Sequence, residues 1–316
     1  MYKKIVSILL AAFIVPNFVW ADEASSKIFI ASDFHLFPPG FDFNIIQDIQ
    51  RRESQKMVAR TNQQTWNSMV LAIKNDPLIT SVILNGDLYH APIVSALDDE
   101  RRIEMMINLL VDTQEQTRKP IYFNLGNHDL KATVGADGHL AIDAEFSKTF
   151  AIRFKRAVEE RKQETSQDIP LFLVGLGQPG FGDYKSVFEL EIDRKKIKIS
   201  HNPFVRTKAI VEQAQVFATQ NGYAYRKVTS PPLLEENRNN ILHVFSDTHT
   251  PAHDDFLRVY NSGATAVDLT LPYKTPTFLI VEGDSAQHYT LKPEIPGKAV
   301  KYEVPKIGSY CHQFYR

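Results

Sequence analysis

Residues 30–37 read IASDFHLF, an apolar β-branched run that breaks at Ser32 and sets Asp33 and His35 two residues apart. The pattern returns at 243–250, HVFSDTHT, where Ser246, Asp247 and His249 follow the run Ile241–Phe245. A carboxylate and an imidazole stand twice at the end of a predicted strand. Alternate residues past a strand end point to the same side, so each pair is expected to face one shared site. The flanks of the two stretches have little in common, which favours convergence over duplication.

Working outward, apolar β-branched runs predict strands at 27–31, 80–84, 121–125, 171–175, 187–192, 197–200, 241–245, 258–260 and 277–281. Between the first three, Trp66, Met69, Val70 and Ile73 recur at helical spacing, as do Ile103, Met106, Ile107, Leu110 and Val111. The first half therefore reads as βαβαβ with parallel strands, a class whose ligand sites lie past the strand carboxyl ends. The second half has shorter connections and predicts a mixed or antiparallel sheet packed on the first. No composition break marks a boundary, so residues 22–316 are expected to form one α/β domain, with 292–316 as a C-terminal tail.

The chain has 316 residues, 43% hydrophobic and 23% charged, with a formal net charge of -1. That composition suits a folded globular protein and argues against a polyanion-coating surface. Lys3 and Lys4 precede the apolar run Ile5 to Val15, followed by Pro16 and the small-residue site at Ala21. This predicts a signal peptide over 1–21, because the run falls short of the ~20 residues a membrane span needs. The mature chain is then expected to be soluble, without a span, and periplasmic or secreted. Cys311 is the single cysteine, so no internal disulfide can form.

The chemistry collects at strand ends. Asp33 and His35 follow the first strand, Asn85-Gly86-Asp87 the second, and Gly126-Asn127-His128-Asp129 the third; His201 and Asn202 follow a later one, and Asp247 and His249 another. Carboxylate, imidazole and carboxamide are ligand types that borderline divalent cations prefer. Each signal alone is weak, since Gly-Asp after a strand is usually a plain turn. Their joint order resembles the calcineurin-like metallophosphoesterases, whose motifs run Asp-x-His, Gly-Asp, Gly-Asn-His-Asp/Glu, a lone His, and Gly-His-x-His. The stretch Val259 to Ala264 also resembles the turn that follows the last motif in many members.

The resemblance implies two packed mixed β-sheets flanked by helices, and a dinuclear phosphoesterase site. It places Asp33, His35, Asp87 and His249 on one cation, with Asp87 bridging to a second held also by Asn127 and His201. It makes His128 the acid facing the leaving oxygen, with Asn127 and His128 against the substrate. The implied cofactors are two divalent metal ions, Mn²⁺ first, with Fe, Zn or Mg as alternatives. Two cations roughly 3.5–4 Å apart suit an in-line displacement at phosphorus.

Two departures stand out. Asp247 occupies the position where the family writes the penultimate His. It is open to three readings: a carboxylate ligand of the second cation, a group that orients His249, or the trace of a lost second site. His90 stands where many members carry an acid, a pattern similar to the nuclease subunit of double-strand-break repair; it either assists His128 or lies on a loop. Tyr89 does not fit the purple acid phosphatases. His253 is a further pocket candidate. His243 reads as a sheet residue, Arg206 as a solvated helix position, and His139, His288 and His312 as surface residues. The leading function is an exported hydrolase of a phosphomonoester or small phosphodiester, perhaps of a nucleotide, with nucleic acid disfavoured as partner. An extracellular nuclease and a non-catalytic binding protein are the rivals. Segments 38–55, 130–145 and 203–239 are candidate walls for the substrate.

Overall fold

The computed structural model describes residues 26–90, 97–134, 140–184, 186–201, 241–247, 249, 251–254, 258–266, 275–292 and 295–304. The signal peptide over 1–21, Arg206, segment 203–239, Asn202, His139, Cys311 and His312 lie outside the described residues.

Strand β1 (Lys27–Ala31) decides the architecture. It is buried on both faces. Phe29 and Ala31 meet the helices, while Ile28 and Ile30 meet a second sheet. Period-2 alternation of two apolar sets is what a strand covered on both sides requires. Parallel to it runs β2 (Ile79–Asn85), then β3 (Ile121–Asn124) and β6 (Leu171–Leu173). On its other edge lie the antiparallel β12 (Phe278–Glu282), β13 (Ser285–Leu291) and β14 (Ala299–Lys301). The order is β14-β13-β12-β1-β2-β3-β6.

The second sheet has the order β10-β11-β9-β8-β7. Its strands are β7 (Phe188–Ile192), β8 (Lys195–Ile199), β9 (Leu242–Phe245), β10 (Ala252–Asp254) and β11 (Val259–Asn261). Here β8, β9 and β11 run parallel, with antiparallel β7 and β10 at the edges. Ile197, Ile199, Leu242 and Val244 pack against Ile28, Ile30, Ile83 and Leu279 to form the inter-sheet core. A hairpin of β4 (Ala132–Val134) and β5 (Leu140–Ile142) stands apart from both sheets.

Three helices cover the outer face of the larger sheet: α1 (Ile49–Asn75), α2 (Asp99–Thr117) and α3 (Ala144–Thr165). Each begins at an Asp whose carboxylate accepts backbone N–H groups of the first turn: Asp48, Asp98 and Asp143. The periodic residues of α1 and α2 named above are all buried, and Phe146, Phe150 and Phe154 of α3 complete that core. The fold is α/β, two mixed sheets flanked by helices. Among the described residues no helix is long and apolar enough to cross a membrane.

The structure corrects three expectations. Strands β12 to β14 return to the first sheet rather than the second, because Leu279 and Val281 fill the inter-sheet core beside Ile28 and Ile30. Residues 299–301 of the expected tail form its edge strand. His288 is not a surface residue: it is fully buried on β13, and its Nε2 donates to the carbonyl of Asn261 at 2.6 Å. That bond pairs one of the two nitrogens of the buried ring.

Candidate metal centre

The loops after β1 and β2 zip together past the sheet. Asp33 N donates to Gly86 O (3.1 Å), Phe34 N to Asp87 O (2.8 Å), Leu36 N to Leu88 O (2.9 Å), and His90 N back to Leu36 O (2.9 Å). The loop after β3 closes on the second through Asp129, whose buried carboxylate accepts N–H groups from Asp87 (2.8 Å), Leu88 (2.9 Å) and Gly126 (2.9 Å). Gly86 and Gly126 meet back to back. A Cβ on Gly126 would stand 2.2 Å from Asp87 Oδ1, and one on Gly86 2.5 Å from Gly126 Cα. Only hydrogen fits at either position.

The expected strand-like alternation is not what aims the paired ligands. Asp33 (φ 52°), His35 (φ 43°), Asp247 (φ 66°) and His249 (φ 55°) all adopt the left-handed region, as does Asp87 (φ 56°). The echo in the sequence is thus an echo in backbone geometry, and it corrects the reason given for the convergence. Non-glycine residues held there cost roughly 1–3 kcal/mol each and gather at functional sites.

These turns bring acceptors together. His35 Nε2 lies 2.9 Å from His249 Nε2, and His249 Nε2 lies 3.3 Å from Asp33 Oδ1. Alongside, His201 Nε2 lies 3.3 Å from Asp87 Oδ1, 2.9 Å from Asn127 Oδ1 and 4.0 Å from Asp247 Oδ1. Asp33, His35 and His249 form one group able to hold a cation, and Asp33, Asp87 and His201 a second, so Asp33 belongs to both. The sequence reading gave the bridging position to Asp87. Asp87 is a member of the second group and also meets His128: its Oδ1 accepts the backbone N–H of His128 at 2.8 Å, and Oδ2 lies 4.0 Å from His128 Nδ1.

Neighbouring groups set the ring of His201. Its Nδ1 lies 2.6 Å from Asn85 O, a carbonyl that can only accept, so Nδ1 carries hydrogen and Nε2 faces the ligand cluster. Asn85 is fixed in turn by donating to Ser200 O (2.8 Å) and Ser246 Oγ (2.9 Å) and by accepting from Asn124 (2.8 Å). Arg102 of α2 donates to the carbonyls of His128 and Leu130, tying that loop to the helix layer. Asn85, Asn124, Ser246, Arg102 and Asp129 carry these supporting roles, and sequence reasoning assigned them none. The fourth letter of Gly-Asn-His-Asp was the one available signal, for Asp129.

The donor chemistry fits divalent cations. Burial and the charges of Asp33 and Asp87 push the Asp247 carboxyl up to about 6. Burial would raise Asp33 and Asp87 as well, but His249 and His201 outweigh it and hold both low. Burial keeps His35 neutral, down at about 3, and lowers His128. For His201 burial works downward, yet Asp87, Asp33 and Asp247 lift it well above the usual range. Three carboxylates thus share a dry site with one strongly proton-binding ring, and a cation would replace that proton. Asn127 offers two orientations. Nitrogen-inward it donates to Asp87 Oδ1 (3.3 Å) and Oδ2 (3.2 Å) and to His201 Nε2 (2.9 Å); oxygen-inward it adds one more acceptor to the cluster.

Of the residues singled out in the sequence, Asp33, His35, Asp87, Asn127, His128, His201, Asp247 and His249 come together. His90 lies at their rim, its ring 5.7 Å from His35 and 6.2 Å from His128, and the three offer a further all-imidazole group. His253 belongs to another cluster, on β10, stacked on Tyr260 and tilted over His288.

No protein-family model matches the chain, and no curated protein matches it. Among solved structures it is similar to Vps29 from Entamoeba histolytica, as a single mutant at 13% identity over 88% of this chain and 99% of that one, with a TM-score of 0.32. The wild-type Vps29 complexed with zinc gives 12% identity, 88% and 98% coverage, and 0.32. YfcE, a phosphoesterase from E. coli, gives 10% identity, 87% and 98% coverage, and 0.35. Overlap this loose decides nothing about the site, whose reading rests on this chain's own residues.

Proposed function

We propose that this chain is a metal-dependent phosphoester hydrolase with a dinuclear centre, exported by its N-terminal segment, acting on a phosphomonoester or small phosphodiester. The reading is supported above all by the meeting of His35 Nε2 and His249 Nε2 at 2.9 Å beside Asp33 Oδ1. Lone pairs aimed at one point in a buried site repel unless a cation or proton lies between them. Asp33, His35, Asp87 and His249 would hold one cation, and Asp87, Asn127, His201 and Asp247 the other. Mn²⁺ is the first choice because Asp247 adds a hard oxygen ligand. When bound, the pair supplies Lewis acidity toward phosphoryl oxygens and a nucleophile at neutral pH.

The side chains do the rest. Asp87 and His201 are essentially without exposure, whereas the His128 side chain keeps a quarter of its surface at the rim. From there it can deliver a proton to the leaving oxygen. Asp87 holds it in place through its backbone N–H and draws its basicity up against burial. The test is hydrolysis of chromogenic mono- and diesters in Mn²⁺ by the mature protein, beside Asp87→Asn. Turnover lost in the variant supports the proposal; turnover that survives it, or none in the wild type, overturns it.

One observation favours a second reading. His90 stands against His35 and His128, the placement that the nuclease-like pattern implies. Activity on DNA that falls steeply with salt would support it.

A further inference from the structure

Segment 37–43, which the hydrolase chemistry does not use, builds a column of rings leading outward from the site. His90 stacks on Phe37 (5.6 Å, 27°), and Phe37 stacks on Phe43 (5.4 Å, 26°). Phe41 closes the column edge-on, 5.9 Å from Phe37 at 70° and 4.9 Å from Phe43 at 86°. The column starts at His90, whose ring is within 6.2 Å of His128. It ends at Phe41 and Phe43, both half-buried, with Ile45 beyond them 64% exposed.

The loop that carries the rings is held in shape. Phe41 N donates to Pro38 O (3.1 Å), Gly40 takes φ 73°, and Asp42 caps the turn Phe43–Ile45 by accepting from Asn44 N (2.9 Å). Arg52 of α1 donates to Ile46 O at 2.9 Å. Two half-buried phenyl rings, Phe41 and Phe43, backed by the buried Phe37 and carried on a pre-ordered loop beside the rim, form a platform for a flat apolar group.

We infer that Phe41 and Phe43, backed by Phe37, form a subsite for the base of a nucleotide-type phosphate ester. The inference rests on the hydrolase reading and names its substrate class. Spacing selects a nucleobase over a simple aryl ester. A ring attached directly to the phosphoryl oxygen would reach only His90, whereas Phe43 stands two stacking steps out and needs a spacer such as a pentose. An acyl chain would gain burial there but nothing specific to flat ring faces.

The experiment compares adenosine 5′-monophosphate with ribose 5-phosphate in Mn²⁺. Both release a primary alcohol, so leaving-group chemistry cancels and the ratio of kcat/KM reports the base alone. Stacking of one base predicts a preference of roughly tenfold or more for the nucleotide. The ratio falls toward one in Phe43→Leu, which keeps apolar bulk but no ring, and is retained in Phe43→Tyr. A ratio near one in the wild type, or one unchanged by Phe43→Leu, overturns the subsite while leaving the hydrolase standing. Preference for dodecyl phosphate over the nucleotide overturns it in favour of a lipid ester. No turnover of any of the three overturns the subsite, and the hydrolase reading is then decided by the chromogenic mono- and diesters.

Discussion

Replacing Asp247 with Asn should stabilise the metal-free protein and lose that gain, in part or whole, when metal is bound. In the metal-free protein the Asp247 carboxyl is pushed from 3.8 to about 6 by burial and by Asp33 and Asp87. The folded state therefore binds a proton that the unfolded state has released between about pH 4 and pH 6, and wild-type stability declines across that window. Above it the rise from 3.8 to about 6 is worth about 3 kcal/mol. The side chain is 25% exposed, which reduces the effect to about 1–3 kcal/mol through solvent screening. Asn carries no charge, so in chelator at pH 7.5 Asp247→Asn should be more stable by that amount, with the gain vanishing near pH 4. In Mn²⁺ the gain shrinks or disappears, because lost metal affinity offsets it. Losing an anionic oxygen should weaken affinity roughly 10- to 100-fold, the range seen even for groups that only orient ligands. Urea denaturation at both pH values, with and without Mn²⁺, reads all four numbers. A variant less stable than wild type in chelator at pH 7.5, or a gain that persists at pH 4, would refute the reasoning.

Three further outcomes are expected. Gly126→Ala drives a Cβ to 2.2 Å from Asp87 Oδ1 and 2.4 Å from its backbone nitrogen; since backbone cannot yield, urea midpoints should show a loss of about 1–3 kcal/mol or more, with metal affinity falling alongside. Asp129→Ala strands the N–H groups of Asp87, Leu88 and Gly126. At about 1–3 kcal/mol for each buried donor left unpaired, denaturation should show several kcal/mol lost. Because His201 binds a proton well above its usual range in the metal-free protein, Mn²⁺ must displace it. Calorimetry in buffers of different ionisation enthalpy should show proton release at pH 6–7 and weaker binding as pH falls; binding independent of pH would contradict the ligand role.

The part of the fold legible in sequence is the part where burial writes a pattern. β1, β2 and β3 are buried on both sides and read as continuous apolar runs; α1 and α2 show a single apolar face. α3 was missed although Asp143, Phe146, Phe150 and Phe154 carry its cap and its stripe at i, i+4 and i+8. β13 gave no alternation to find, because only His288 and Leu291 of Ser285–Leu291 are buried. Reading His288 as a surface residue failed for the same reason. At the site, ligand types and their order were legible, since few other roles put carboxylate and imidazole after so many strands. The left-handed turns at Asp33, His35, Asp87, Asp247 and His249 were not. They lack the glycine that normally announces such a φ, and the hydrogen bonds that hold the first three run between loops far apart in the chain. The same holds for Asn85 and Ser246, whose task is to orient His201 across a separation that local pattern does not record.

The most direct measurement is anomalous scattering from crystals of the protein grown in Mn²⁺. Two peaks per chain are predicted, one bounded by Asp33, His35 and His249, the other by Asn127, His201 and Asp247, with Asp87 at hand. Strong peaks elsewhere, or none among these residues at saturating Mn²⁺, would contradict the account.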